Sequence, residues 1–326
     1  MTDLPPELTG NELTYVCVDL TQAAKSRADF ETLIKECSEL SVDAVNVPLY
    51  RTDHLISLVH RSDEADRYRE FELSREQFQA LENTAHDEGL TLTATVYDPE
   101  LLKWYETSLK AGFCFFHGGD ITYRRLLETA SDTSLTPVLS TAASTPDEIN
   151  RGLEWLGEDV LLLHERLGPE FGSETAHPDR LEWLREEFGK PVGLRDCGPG
   201  SKSPQAINEA TLWVPQLNTE TSETGYSFTE LESMLGQLQD GSLESSGETD
   251  RSPERNGAEP EGDVEAYKKN YRRSLMAGQS ISAGATLKEE MIRELRPAGG
   301  LPADKIRECI GILVQRPTDP QEMIAY

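Results

Sequence analysis

Residues that could do chemistry stand directly after short apolar runs of the sequence. His117 follows Phe113–Phe116 and precedes two glycines, so its imidazole could donate a hydrogen bond to an anion. His164 ends a second run, and Arg195 follows Pro191–Leu194. A hydrogen-bonded core side chain is the alternative for each histidine, and the direction of Arg195 stays open. The spacing places candidate donors at the ends of several strands.

The elements that must position these residues alternate between strand and helix patterns eight times over residues 13–236. Short apolar or β-branched runs are typical of parallel strands covered on both faces. Between them lie helical patterns, with a capping box at Ser74 and Gln77 and a proline start at Thr145-Pro146. The predicted strands are Leu13–Val18, Ala44–Pro48, Thr91–Val96, Phe113–Phe116, Thr136–Ser140, Val160–His164, Pro191–Leu194 and Thr211–Gln216.

Eight such units in about 225 residues predict an α/β protein with a (β/α)8 TIM barrel. The alternative is an open doubly wound sheet, but no glycine-rich phosphate fingerprint follows Val18. The segment Arg51–Phe71 is longer than a typical connecting loop and contains His54 and His60. We interpret it as a solvated lid, with a chemical role as the alternative.

The net charge of −28 is the strongest compositional signal. A surface this acidic repels nucleic acid and anionic lipid, so neither is expected as a partner. We interpret the acidity as halophilic, because concentrated salt screens self-repulsion within about 3 Å at 1 M. No apolar stretch approaches the roughly 20 residues of a membrane span, and the N-terminus lacks a signal-peptide pattern, so we expect a cytoplasmic protein.

The five cysteines are scattered and lack the spacing of a metal knuckle. Reduced, mostly buried thiols are the simplest interpretation. Cys197 alone stays open as a candidate for chemistry.

A composition change divides the chain into three parts. Residues 239–266 hold nine acidic residues and almost nothing apolar, which predicts a disordered acidic linker. The predicted parts are a barrel domain at residues 1–238, this linker, and a small β-rich domain at residues 267–326.

The last part carries the most specific motifs. They are the paired arginines Arg272-Arg273 before Ser274, the run Ile281–Leu287 with sequence ISAGATL, and Arg296-Pro297 followed by glycines. This pattern resembles the SAF (antifreeze-like) domain that ends members of the sialic acid (N-acetylneuraminate) synthase family. A weaker resemblance extends through the barrel, for example at Gly118–Thr122 and Pro191–Asp196.

The resemblance implies a reaction and partners. The family condenses phosphoenolpyruvate with an N-acylated amino sugar in carbohydrate biosynthesis, and a divalent metal, Mn²⁺ or Mg²⁺, polarises the sugar aldehyde. It also implies a homodimer in which the SAF domain of one subunit reaches the barrel of its partner. An anionic substrate requires several cations or amide donors at the strand ends.

Site residues follow by resemblance as well. Asp120 takes the position of the acid that holds the sugar, and Asp19 lies near that of a first-strand glutamate. Ser140 matches a phosphoenolpyruvate-contacting serine. The arginine of the Arg296-Pro297 motif contacts the sugar in the family, and His164 has a counterpart at a strand end.

Other positions depart from the family pattern. Asn46 and Phe115 stand where the family has lysines, and Arg195 stands at a serine position, where its charge could replace part of what is lost. One metal-binding histidine of the family corresponds to Cys197, and the other corresponds to Gln216 or Pro215. A thiol and an amide suit Mn²⁺ and Mg²⁺ badly, so Cys197 and Gln216 are weak metal candidates.

Two functional hypotheses therefore stay open. One is a divergent synthase acting on phosphoenolpyruvate and a sugar. The other is a catalytically inactive homologue that binds a sugar or serves in assembly.

Overall fold

The computed structural model describes residues 14–165, 167, 178–198, 204–218, 224–243 and 262–324. These residues form ten strands: β1 (Tyr15–Asp19), β2 (Ala44–Leu49), β3 (Thr91–Val96), β4 (Phe113–Phe116), β5 (Thr136–Ser140), β6 (Leu161–Glu165), β7 (Val192–Asp196), β8 (Leu212–Pro215), β9 (Ser274–Ala277) and β10 (Ile292–Leu295). They also form twelve α-helices: α1 (Asp29–Ser38), α2 (Thr52–Leu55), α3 (Ser62–Phe71), α4 (Arg75–Asp87), α5 (Pro99–Ser108), α6 (Arg124–Ser131), α7 (Pro146–Leu156), α8 (Pro178–Phe188), α9 (Pro204–Glu209), α10 (Phe228–Asp240), α11 (Val264–Tyr271) and α12 (Ile306–Cys309).

The first eight strands close into a barrel. Each pairs in parallel with the next, and β8 pairs with β1. Each predicted strand is present, with bounds that differ by at most two residues. The structure therefore confirms the predicted (β/α)8 barrel.

Alternate residues of the strands pack into two separate apolar layers. Tyr15, Cys17, Phe113 and Phe115 belong to a cluster enclosed by the strands. Their neighbours along each strand belong to a larger cluster between the strands and the surrounding helices. The parity of a position in its strand thus decides whether its side chain faces the barrel interior.

Local sequence signals fix several helix starts. Ser74 and Gln77 form the predicted capping box at α4, and Thr145 and Glu148 form one at α7, where Pro146 occupies the first turn. The side-chain oxygens satisfy backbone N–H groups that the first turn leaves without partners.

The sequence pattern predicts a long loop at Arg51–Phe71. The structure instead has the helices α2 and α3 in this segment. Ala65 is the buried residue of α3, whose other positions are polar or partly exposed. Such a helix has almost no apolar period, which is why the sequence pattern does not reveal it. His60 is exposed, and His54 lies 3.0 Å from Asp98 at the start of α5.

Residues 262–324, here called the C-terminal module, form a small β-rich unit. Its strands β9 and β10 pair antiparallel, and Leu275, Ile292 and Ile306 belong to its own apolar core. The β-rich character was predicted, and the identity of the module as a SAF domain stays a prediction.

Both described ends of the predicted linker 239–266 contain helical residues. Helix α10 extends to Asp240, and α11 begins at Val264 inside the predicted linker. The predicted disorder of residues 244–261 lies outside the described residues.

The C-terminal module packs directly on the barrel of its own chain. The backbone N–H of Arg296 donates to the Leu55 carbonyl at 3.0 Å, and the Arg296 carbonyl accepts from the Ser57 N–H at 2.8 Å. Gly119, after β4, touches α11 so closely that an added Cβ would lie 2.5 Å from the Tyr271 carbonyl oxygen. Backbone contact at Gly119 therefore sets how near the module approaches.

No helix within the described residues is long and apolar enough to cross a membrane.

We predict that Gly119→Ala lowers the free energy of unfolding by about 1–3 kcal/mol, because the new methyl group would overlap the Tyr271 backbone. Gly236→Ala is the matched control, since an added Cβ there meets nothing within 4 Å in the interior of α10. It should stabilise by about 0.5–1 kcal/mol. Urea unfolding in molar KCl measures both, and equal effects of the two substitutions would contradict the close docking.

Candidate functional site

The carboxyl ends of the barrel strands, here called the mouth, carry polar side chains on the interior face. Cys17, Val138 and Leu163 pack inside the barrel. Asp19, Ser140 and Glu165 each lie two residues further along the same strands, so their side chains face the same side. Arg195 lies opposite Glu165 in the β6–β7 register. Four strands thus place one hydroxyl, two carboxylates and one guanidinium in the interior.

Arg195 is the one arginine or lysine of the eight barrel strands as the structure bounds them. Its Nη1 lies 3.5 Å from an Asp19 oxygen and 3.9 Å from a Glu165 oxygen. Its side chain is 8% exposed, and no described residue forms a hydrogen bond with its Nε or Nη2. Burial alone would lower the pKa of Arg195, but the two carboxylates outweigh it and raise that pKa above its ordinary value.

The side chain of Ser140 forms a hydrogen bond with Glu165. The Ser140 hydroxyl donates to Glu165 Oε2 at 2.5 Å, a short distance typical of a bond to a charged acceptor. The same hydroxyl oxygen accepts from the Ala142 N–H at 3.3 Å. Both hydrogen-bonding roles of Ser140 are therefore filled within the protein.

Asp120 lies further out, in the turn after β4, and is fully buried. Arg273 Nε donates to Asp120 Oδ1 at 2.6 Å, and Arg296 Nη2 donates to Oδ2 at 3.0 Å. Burial disfavours the carboxylate, yet the two guanidinium charges outweigh it and hold the pKa of Asp120 below its ordinary value. Each oxygen of Asp120 thus binds one arginine of the C-terminal module.

The neighbouring arginine pair extends this contact. Arg273 also donates to the backbone carbonyls of His54, Glu294 and Tyr97 at 2.8–3.0 Å. Arg272 donates to the Gly118 carbonyl at 2.9 Å and lies 3.4 Å from the Glu148 carboxylate. The arginine pair that the sequence resemblance singled out therefore joins the module to the barrel.

His117 lies among aromatic rings above the mouth. The ring of Tyr267 stacks on it at 5.9 Å, and Tyr271 and Tyr97 lie 5.2 and 5.9 Å away. Arg296 lies 5.2 Å from the Tyr97 ring centre and 5.4 Å from that of Tyr271. Helix α11 thus covers the mouth with two tyrosines.

The imidazole of His117 is held neutral. Its Nδ1 accepts from the Gly119 N–H at 2.9 Å, which places the proton on Nε2. Burial, followed by the charge of Arg296, lowers the pKa of His117 well below its ordinary value. A neutral ring beside Arg296 adds no positive charge for an anion.

The structure brings most of the predicted site residues to one end of the barrel. Asp19, Ser140 and Arg195 lie in the interior, while His117, Asp120 and Arg296 lie above them, with Arg296 reaching Asp120 of its own chain. His164 is separate, because it shares the parity of Leu162, which packs in the outer layer.

The two weak metal candidates lie on adjacent strand ends. The Gln216 N–H donates to the Asp196 carbonyl at 2.8 Å, immediately before Cys197, which is buried. Among the described residues, no group of three or more His, Cys, Asp or Glu side chains is arranged to hold a metal. A thiol and a primary amide are also the wrong donors, so these residues do not fit a Mn²⁺ or Mg²⁺ site.

The positions of the expected lysines hold uncharged groups. Asn46 is buried and donates to the Thr95 hydroxyl at 3.0 Å, and Phe115 packs inside the barrel. Sequence reasoning missed Glu165, although it directly follows His164 at the end of a predicted strand. It also missed the tyrosines Tyr97, Tyr267 and Tyr271, which carry no motif that indicates a site.

Comparison with known proteins gives one family. A profile of the NeuB family matches residues 24–209, more than half of the chain. An uncharacterised protein of Methanocaldococcus jannaschii is 29% identical over 178 residues, which cover 53% of this chain and 51% of that protein. The chain thus aligns with about half the length of that relative. The pseudaminic acid synthase of Campylobacter jejuni is 23% identical over 310 residues, 85% of each chain.

Solved structures show the same fold. The spore coat polysaccharide biosynthesis protein spsE of Bacillus subtilis superposes with a TM-score of 0.72 at 16% identity, covering 96% of this chain and 94% of that one. An N-acetylneuraminic acid synthetase of Leptospira borgpetersenii, in complex with citrate, gives a TM-score of 0.61 at 15% identity, covering 74% and 88%. At such identities the likeness shows the fold alone.

We predict that Asp120→Asn lowers the free energy of unfolding by about 3–5 kcal/mol, because it leaves two buried guanidinium groups without their counter-charge. Asp87→Asn, at an exposed site at the end of α4, is the matched control and should change stability by less than about 0.5 kcal/mol. Chemical unfolding in molar KCl measures both. An effect of Asp120→Asn as small as that of the control would show that the pair contributes little.

We predict that His117 makes the protein less stable in mild acid. Its pKa is lowered on folding, so the unfolded chain takes up the proton first. The stability from neutral His117 is complete above about pH 6.5 and falls by about 1.4 kcal/mol for each pH unit below it, until the folded-state pKa is reached. Unfolding midpoints between pH 5 and 8 should lose this slope in His117→Gln, but keep it in His86→Gln, which changes an exposed histidine. An unchanged slope in His117→Gln would contradict a neutral His117.

Proposed function

The chain belongs to the NeuB family, and on that premise we propose that its barrel binds an N-acylated amino sugar at the mouth without condensing it. The observation that carries this proposal is that four arginines at the mouth, within the part of the chain that the structure describes, each face a carboxylate. Arg195 faces Asp19 and Glu165, Arg273 and Arg296 share Asp120, and Arg272 faces Glu148. Among these described residues, an anionic co-substrate such as phosphoenolpyruvate would find no surplus positive charge.

The composition of the mouth supports a sugar as the ligand. Small-molecule sites are commonly lined by aromatic side chains with a few placed polar groups. Here Tyr97, His117, Tyr267 and Tyr271 supply ring faces, and the Asp120–Arg296 pair supplies an acceptor and donors for hydroxyl and amide groups. In the proposal, α11 moves away to admit the sugar, since its tyrosines now cover His117.

The second candidate is a working synthase that joins phosphoenolpyruvate to the sugar. Family membership favours it, as does the presence of Ser140, Asp120 and Arg296 at the mouth. Against it stand the committed hydroxyl of Ser140 and the unsuitable donors Cys197 and Gln216. A homodimer is part of either proposal by family resemblance alone, and a monomeric mass in molar KCl would contradict it.

We predict no phosphate release above background when the protein is mixed with phosphoenolpyruvate, N-acetylmannosamine and Mn²⁺ in molar KCl. Calorimetric titration with N-acetylmannosamine alone should show binding that Arg296→Met weakens at least about tenfold, the loss expected for one charged hydrogen bond. Arg69→Met, at an exposed arginine of α3, is the control and should bind like the wild type.

Robust phosphate release that Arg296→Met abolishes would overturn the inactive interpretation in favour of the synthase. The absence of both turnover and sugar binding in folded protein would overturn the proposed function itself.

A further inference from the structure

The interior of the barrel holds a cluster of four polar side chains that the Asp120 contacts do not involve: Asp19, Ser140, Glu165 and Arg195. The carboxylates lie 3.5 and 3.9 Å from Arg195 Nη1, and the Glu165 carboxylate accepts the Ser140 hydroxyl at 2.5 Å. The guanidinium centre lies 5.5 Å from the Phe115 ring, which belongs to the interior apolar layer. The cluster thus forms the polar floor of the mouth.

The charges of this floor do not cancel. Two carboxylates face one guanidinium, so the cluster carries one more negative than positive charge. A negatively charged ligand would add to this excess of negative charge, and it would be repelled at short range in a poorly solvated site. An uncharged ligand meets no such repulsion.

Arg195 nevertheless provides hydrogen-bond donors in this cluster. The distances to both carboxylates are from Arg195 Nη1, while the buried Nε and Nη2 have no hydrogen-bond partner among the residues that the structure describes. Arginine paired for structural purposes commonly binds a carboxylate through two parallel hydrogen bonds. These two nitrogens carry three N–H groups that an oxygen acceptor could satisfy, and leaving them unmet is costly.

Glu165 takes the place of such an acceptor beside Ser140. The hydroxyl of Ser140 and the guanidinium of Arg195 are the donors by which a small oxyanion would be held, and the carboxylate of Glu165 already lies between them. The carboxylate of Glu165 therefore occupies the position in which a bound anion would contact Ser140 and Arg195.

We propose that Glu165 is a specificity-determining residue whose carboxylate occupies the anion position between Ser140 and Arg195, so that the barrel excludes phosphate and carboxylate ligands and admits uncharged ligands with oxygen acceptors. This inference rests on the proposed function for the location of the ligand. It goes further in naming the residue that sets the charge of what can bind.

Calorimetric titration with inorganic phosphate, in the same molar KCl for each variant, tests the proposal. Wild-type protein should not bind phosphate measurably. Glu165→Ala removes the carboxylate and opens space, and should bind phosphate at least about tenfold more tightly than the wild type. Glu165→Gln removes the charge but keeps the volume, so a smaller gain is expected.

Two further variants make the result specific. Adding Arg195→Met to Glu165→Ala should abolish the gain, since it removes the guanidinium donors. Glu154→Ala removes one negative charge from an exposed position on α7 and should leave phosphate binding undetectable. Circular dichroism checks folding, and Glu165→Gln carries the test if Glu165→Ala does not fold.

Phosphate binding by the wild type as tight as by the Glu165 variants would overturn the proposal, as would a gain that survives Arg195→Met. A folded Glu165 variant without any gain would also overturn it. These outcomes are separate from the sugar titration, whose failure counts against the proposed function and not against the role of Glu165.

Discussion

The structure depends on one buried carboxylate shared by two arginines. Asp120 is fully buried, which is costly for a charge, and Arg273 and Arg296 offset that cost by binding one oxygen each. Both arginines belong to the C-terminal module, so the interaction that satisfies Asp120 also holds the module on the barrel. The module in turn places Tyr267 and Tyr271 over His117. Domain docking and the chemistry of the mouth are therefore consequences of the same ion pair.

A second group of opposite charges lies deeper in the barrel. Arg195 is set against Asp19 and Glu165, and Ser140 is bonded to Glu165. Together with the pairing of Asp120, this gives the described part of the mouth polar groups and aromatic faces but no surplus cation. The proposed binding of an uncharged sugar rests on this balance.

The sequence predicted the framework better than the site. Eight strands and two helix starts follow from local pattern, because strand length, apolar runs and caps are encoded within a few residues. Asp120 and Arg296 were found by resemblance, but no local signal shows that they bind each other at a sequence separation of 176 residues. The direction of His164 was equally hidden, since Leu161, Leu162 and Leu163 are apolar on both faces of β6. Helix α3 was missed because its surface is polar nearly all round.

Asp120 and Arg273 are expected to stabilise the protein through each other. A double-mutant cycle measures this directly, with Asp120→Ala, Arg273→Ala and the double variant unfolded by urea in molar KCl. Because the pair is buried, salt should screen it little, and we expect a coupling energy of about 1–3 kcal/mol. Effects that add within about 0.5 kcal/mol would show that the two side chains act independently, and would contradict the account.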